Sequence, residues 1–191
     1  IIDTSKNVEL RYFNGHETHK HEEEIHHENK DVDPHIWLSP IQVKKQVDTI
    51  TKSLSEIDPN NSQIYYNNSK EFKEKLDLLD SKIRSIFNET KTKKIMVFHP
   101  AWGYFTDEYG LEQIIIEESG KEPTAKKLQQ IINHGKEENI KFIFVQSQFN
   151  KDVAESIAEE IDAVTISIDP LSENYIENLE KIAIKIKESL N

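Results

Sequence analysis

Apolar positions recur along this chain in two different periods, and the change between them organises the rest. After Pro40, residues Val43, Val47, Ile50, Leu54 and Ile57 are spaced four, three, four and three apart, the single stripe of an amphipathic helix. Ser39 followed by Pro40 supplies an N-cap and a first-turn proline. Asp58-Pro59 repeats the start signal. The stripe Ile64, Phe72, Leu76, Leu79, Ile83 and Ile86 then predicts a helix of about 30 residues, roughly 45 Å long. That length suits a strut between two lobes.

From Lys94 the pattern shortens. IMVFH, LEQIII, KFIFVQ and AVTISI are short apolar runs that predict strands. Helical patterns separate them: one closed by Gly110, one over Thr124–His134 closed by Gly135, and one over Asp152–Ile161. A last helix over Glu173–Leu190 buries Ile176, Leu179, Ile182, Ile186 and Leu190. VELRYF (Val8 to Phe13) reads as a strand or strand end. Four alternations of strand and helix predict an α/β fold with mostly parallel sheets flanked by helices. The expected division is a partial N-terminal lobe over 1–57, a long rigid connecting helix over 58–90 and a C-terminal α/β lobe over 91–191.

One segment belongs to neither period. Residues 16–30 hold five histidines and five glutamates with Ile25 as the one aliphatic side chain, too little apolar surface to offset the entropy of ordering. We read a solvated loop.

Composition narrows the chemistry. The 24 Lys+Arg against 35 Asp+Glu leave a formal net charge of −11, which argues against phosphate-backbone binding and suits a protein that meets cations. The absence of cysteine excludes disulfides, thiol catalysis and cysteine-based zinc fingers. No stretch has the apolar length needed to cross a bilayer. The chain opens at Ile1 and not at methionine, which leaves room for a removed signal peptide, lipid-anchor site or longer upstream segment and fixes no compartment.

In open parallel sheets, ligands bind beyond the carboxyl ends of the strands. His99 ends the first predicted strand, Gln146 and Ser147 the third, and Asp169 the fourth. His99 and Asp169 are good ligands for first-row metals, and His35, between Pro34 and a capped helix, is a third candidate. Plainer roles compete: a strand-end histidine often only hydrogen-bonds, Asp169-Pro170 can simply start a turn, and His35 can bond backbone near a helix start. His134, in a last helical turn, complements the helix dipole. Trp37, Trp102, Tyr104 and Phe105 read as packing aromatics.

The loop carries independent weight. His16, His19, His21, His26 and His27 among carboxylates offer zinc, copper or nickel many donors without fixed geometry, a collector and not a catalytic site; the alternative is a charged or pH-sensitive tether. There is no HExxH helix, GxSxG elbow, Walker A loop or GxGxxG fingerprint, and nothing activates Ser147 for a triad with His99 and Asp169.

DPHIWLSP (33–40), VFHPAWGYF (97–105) and SIDPL (167–171), preceded by an acidic histidine-rich loop, resemble the solute-binding proteins of zinc and manganese ABC importers, the ZnuA/TroA-like cluster A-I family. The spacing along the long helix and the pattern Tyr175–Asn178–Leu179 agree. The resemblance implies two lobes joined by one rigid helix, with metal in the cleft between them. It implies His35 as the second ligand, His99 as the third and Asp169 as the fourth, with the first ligand in an N-terminal segment this chain lacks. Water then fills the open position. Histidine at the third position and in the loop favours Zn2+ over Mn2+. Where the family normally has glutamate, this chain has Gln146.

The same resemblance implies a non-enzymatic, extracytoplasmic carrier, periplasmic or at the cell surface. Such a carrier delivers zinc to an ABC permease in the membrane, with a lipid anchor outside this chain left open. The intact protein is expected to be monomeric, and self-association of the fragment is left open. Rival readings are a manganese carrier on the same fold, a zinc hydrolase drawing its base from Glu117, Glu118 or Glu173, and an adhesin whose metal is incidental.

Overall fold

A parallel sheet in the order β2-β1-β3-β4 carries the fold: β1 (Lys94–Val97), β2 (Glu112–Ile115), β3 (Phe142–Gln146) and β4 (Val164–Ile168). The computed structural model describes residues 1–13, 31–90, 93–117, 120–149 and 151–190. The six helices in the described residues are α1 (Pro40–Ile57), α2 (Ser62–Phe87), α3 (Gly103–Tyr109), α4 (Ala125–Glu137), α5 (Asp152–Ile161) and α6 (Tyr175–Ser189). The α/β class with a parallel sheet is as the sequence predicts.

Strand periodicity sorts the core into two layers. Ile95 and Val97 of β1, Phe144 of β3 and Ile168 of β4 face Leu79, Ile83 and Phe87 of α2, Phe105 and Tyr109 of α3, and Leu179, Ile182 and Ile186 of α6. Met96, Ile114, Ile143 and Val145 point the other way, onto Ile131 and Ile132 of α4 and Ala154, Ile157 and Ile161 of α5. The chain leaves β1 toward β2 on one side and returns across it to β3 and β4 on the other. The topological switch, where such sheets open a crevice at their carboxyl edge, therefore lies between β1 and β3.

Three local expectations change. Val8 to Phe13 forms no strand; it makes one antiparallel bridge, Tyr12 with Val32, flanked by Phe13 N to Asp31 O (3.0 Å) and Asp33 N to Arg11 O (2.8 Å). Pro34 lacks an N–H and the chain then enters a 3-10 turn at Ile36–Leu38, so pairing stops. Helix α2 is preceded by a separate 3-10 turn at Pro59–Asn61, so the continuous helix has 26 residues, about 39 Å.

Gly135 does not end α4. The helix runs on to Glu137 and turns at Asn139, whose φ of 51° is a left-handed conformation asparagine tolerates. Gly135 is buried instead because a Cβ there would come within 2.9 Å of Ile161 Cδ1 and 3.2 Å of Met96 Cε. It permits close approach of helix to sheet.

Helix α1 packs on α2 through polar side chains. Lys44 pairs with Asp77 and Lys73 with Asp48 across the contact, and Thr51 is buried there. Its apolar stripe belongs to neither core layer: Ile50, Leu54 and Ile57 are exposed, Ile57 at 72%. The N-terminal residues dock on another side of α1 through Asn7 to Thr49 and Gln46 to Thr4.

Candidate metal centre

His35 is built by the Asp33-Pro34-His35 turn. Fully buried Asp33 accepts the His35 backbone N–H at Oδ1 (3.0 Å) and meets His35 Nδ1 with the same oxygen at 2.7 Å. The 3-10 turn and the Ser39 cap, whose Oγ accepts from Gln42 N at 3.3 Å, then fix the direction of the chain. Trp37 Nε1 donates to Pro170 O at 2.9 Å, which fastens this turn to the segment after β4.

His99 follows β1 directly. Gln146, buried at the end of β3, grips its backbone from both sides: Oε1 accepts from His99 N at 3.4 Å and Nε2 donates to His99 O at 3.0 Å. Glu117, just past β2 and buried, brings Oε1 to 2.7 Å from His99 Nδ1, a close contact that lies off the ring's N–H axis. The Phe149 ring stacks on the imidazole, centroids 4.9 Å apart and planes 23° apart.

These two constructions meet. His35 Nε2 and His99 Nε2 stand 3.3 Å apart, with rings at 77°. His35 Nδ1 is hydrogen-bonded to a buried carboxylate, the arrangement that places its proton on Nδ1 and leaves the Nε2 lone pair free, while His99 Nδ1 has the Glu117 carboxylate close by but no hydrogen bond to it. The His35 Nε2 lone pair thus faces the second imidazole nitrogen across a gap that a proton or a cation can bridge. Two ligands about 2.0–2.1 Å from a tetrahedral ion lie about 3.3–3.4 Å apart, so the pair has the span a zinc ion needs.

The third sequence candidate is not gathered with them. Asp169 Oδ1 accepts from Gln148 Nε2 (2.8 Å) and from Leu171 N (2.9 Å), the turn-starting role, and its backbone O accepts from Asn178 Nδ2. Among the described residues, no three His, Cys, Asp or Glu side chains converge closely enough to hold an ion. Loop residues His16, His19, His21, His26 and His27 lie outside the described residues. So does Glu118. Phe13 and Asp31, at the loop's two ends, are hydrogen-bonded, and the Phe13 ring is 6.4 Å from that of His35.

His134 lies in the last turn of α4, its Nε2 3.7 Å from Glu138, away from the centre. Trp102, Tyr104 and Phe105 are core aromatics, and Trp37 is partly buried against the core. Two orienting carboxylates escape the sequence reading. Asp33 is legible in the Asp-x-His spacing. Glu117 is legible as the polar residue ending the second strand, beside the first.

Comparison with known proteins identifies the family. The family described as zinc-uptake complex component A, periplasmic, matches residues 1–189. The high-affinity zinc uptake system protein ZnuA of Bacillus subtilis is 36% identical over 152 residues, covering 78% of this chain and 46% of that protein. The zinc-binding lipoprotein AdcA of Streptococcus pneumoniae (strain TIGR4) is 30% identical over 183 residues, covering 90% and 36%. A crystal structure of ZnuA superposes with a TM-score of 0.90 at 36% identity, over 100% of this chain and 69% of that one. The chain spans less than half the length of the two curated relatives. With the family matched across nearly every residue and the paired imidazoles at the switch point, the chain belongs to the ZnuA family of zinc-uptake solute-binding components.

Proposed function

We propose that this chain is the metal-holding part of an extracytoplasmic solute-binding component of an ABC importer, one that takes up Zn2+ and passes it to a membrane permease. The observation that carries this is the pair of Nε2 atoms 3.3 Å apart, with Asp33 hydrogen-bonded to the His35 ring and Glu117 close beside the His99 ring. Neutral imidazole is a zinc ligand, whereas Mg2+ and Ca2+ prefer oxygen alone, and two nitrogen donors favour zinc over manganese.

Zinc is cargo here, so capture requires no bond-making chemistry on substrate. The imidazoles replace part of the ion's water shell, and the packed turns that hold them supply the geometry. Asp169 is proposed as the third protein ligand. To reach the ion it exchanges its bond from Gln148 for the metal, and water or another part of the intact protein completes the shell. A division into a partial first lobe over 1–57, a connecting helix over 58–90 and a second lobe over 91–191 fits that exchange, because the ligands then come from both sides of a cleft. The hydrolase reading loses its best base, since Glu117 is spent on His99.

Isothermal titration with Zn2+ tests the site. His35→Ala and His99→Ala are each expected to remove the tight component, and tight binding that survives both refutes the assignment. The loop histidines are proposed as a loose collector. Replacing His16, His19, His21, His26 and His27 with Asn should remove weaker equivalents while leaving the tight one.

A further inference from the structure

The Asp33 carboxylate that aims His35 is itself held by a residue remote from both in role. We infer that Arg11 is a positioning residue for metal capture: lodged in the space that Gly103 leaves open, it fixes Asp33 in the orientation from which Asp33 directs His35 Nε2 toward His99. This rests on the metal reading above and extends it to a side chain outside the ligand set.

Asp33 is fully buried and its two oxygens are divided. Oδ1 serves His35, and Oδ2 receives Arg11 Nη1 at 3.1 Å. A buried carboxylate with a ring on one oxygen and a guanidinium on the other has no freedom to rotate, so the imidazole it holds has none either. Without Arg11, Oδ2 would be a buried anionic oxygen lacking its partner, and the carboxylate would turn to find another.

Arg11 is itself pinned on three counts, two by α3 and one by the backbone of Asp33. Nε donates to Asp107 Oδ2 at 2.8 Å, its backbone N–H donates to the Tyr104 hydroxyl at 2.8 Å, and its backbone O accepts from Asp33 N at 2.8 Å. Helix α3 follows His99 within a few residues, so the same short helix that trails one histidine anchors the residue that orients the other.

Gly103 explains why the guanidinium can lie there. A methyl group on Gly103 would come within 2.6 Å of Arg11 Nε and closer still to Cζ and Nη1, the three atoms nearest to it. The obstacle is the end of a flexible side chain. Gly103→Ala therefore dislodges Arg11 without altering the chemistry of Asp33 or His35 themselves, and leaves Asp33 Oδ2 without its partner.

The test uses the unaltered chain, Arg11→Met, Gly103→Ala and the double variant, with His35→Ala as the reference for a lost site. Zinc affinity is read by competition with a chromophoric chelator. Both single variants are expected to bind about tenfold more weakly, and the double no more weakly than either, because both break one link. Long-range proton–nitrogen spectra of the zinc-free protein supply a readout that simple loss of stability does not give. The His35 ring should lose its single Nδ1–H form in both variants, while the His99 ring, whose backbone Gln146 holds, keeps its signals unchanged. Unchanged affinity and unchanged His35 ring signals, in a chain that His35→Ala still disarms, overturn the role of Arg11 and leave the metal reading standing. A chain that takes up no zinc at all removes the metal reading and this inference with it.

Discussion

His35 and His99, 64 residues apart in the chain, direct their Nε2 atoms at one another across 3.3 Å. Each ring has a buried carboxylate at its Nδ1: Asp33, two residues before His35, hydrogen-bonds to it, and Glu117, just past β2, lies close to His99. Orientation of a metal-binding imidazole through its second nitrogen raises its basicity and fixes the tautomer.

Glu117→Ala should therefore weaken zinc binding although Glu117 is not proposed to touch the ion. The expected loss is about 10- to 100-fold, measured by chelator competition. Wild-type affinity in this variant would show that the contact with His99 Nδ1 has no part in capture. Gln146→Met should act in the same direction, because it removes both bonds that locate the His99 backbone.

Acid should release the ion. Only the unprotonated imidazole binds metal, and two such rings take part, so the sign is fixed: lower pH adds protons that compete with zinc, and affinity falls. In sufficiently acid solution the loss should approach about a hundredfold per pH unit, two protons for one ion. A titration series across pH that gives a flat affinity would contradict a two-histidine site.

How much of this is legible in the sequence depends on whether the signal is local. The Ser39-Pro40 start of α1, the Gly110 stop of α3 and the bounds of α5 are set by residues within a turn of each boundary, and they fall at the predicted positions. Gly135 misleads because glycine serves two ends: it can close a helix, or it can let one approach a sheet, and Ile161 and Met96 lie close only after folding. His35 and His99 can be nominated from motifs and strand ends. Their encounter, and the carboxylates behind them, depend on the order β2-β1-β3-β4, which brings Glu117 beside His99 and no periodicity encodes. For Asp169 the motif names the residue but not its contacts, which here are a turn and a bond from Gln148.

The two helical stripes differ in what they touch, and stability should divide accordingly. Ile83 on α2 is fully buried in the core against the sheet, whereas Leu54 on α1 is exposed and belongs to neither core layer. Ile83→Ala should cost about 2–5 kcal/mol, the loss of transfer energy plus a cavity. Leu54→Ala should stay within about 0.5 kcal/mol. Urea midpoints of the two variants decide it, and a large loss at Leu54 would mean that the stripe is covered in solution.

Alkali supplies a separate test of the core. Burial, then the nearby charge of Asp80 and the 3.2 Å hydrogen bond to it, hold the Tyr109 hydroxyl far above the ordinary tyrosine range, and burial alone raises Tyr175 as well. In the unfolded chain both ionise near pH 10. Above that pH the folded state keeps protons that the unfolded state releases, so stability present below pH 10 is lost as pH rises. Thermal midpoints should fall steeply from about pH 10 upward. Tyr109→Phe should flatten that fall while lowering the midpoint at neutral pH, where the bond to Asp80 is forfeited. The two effects have opposite signs at the two ends of the pH scale, so a uniform drop in the variant would mean that Tyr109 ionises as readily folded as unfolded.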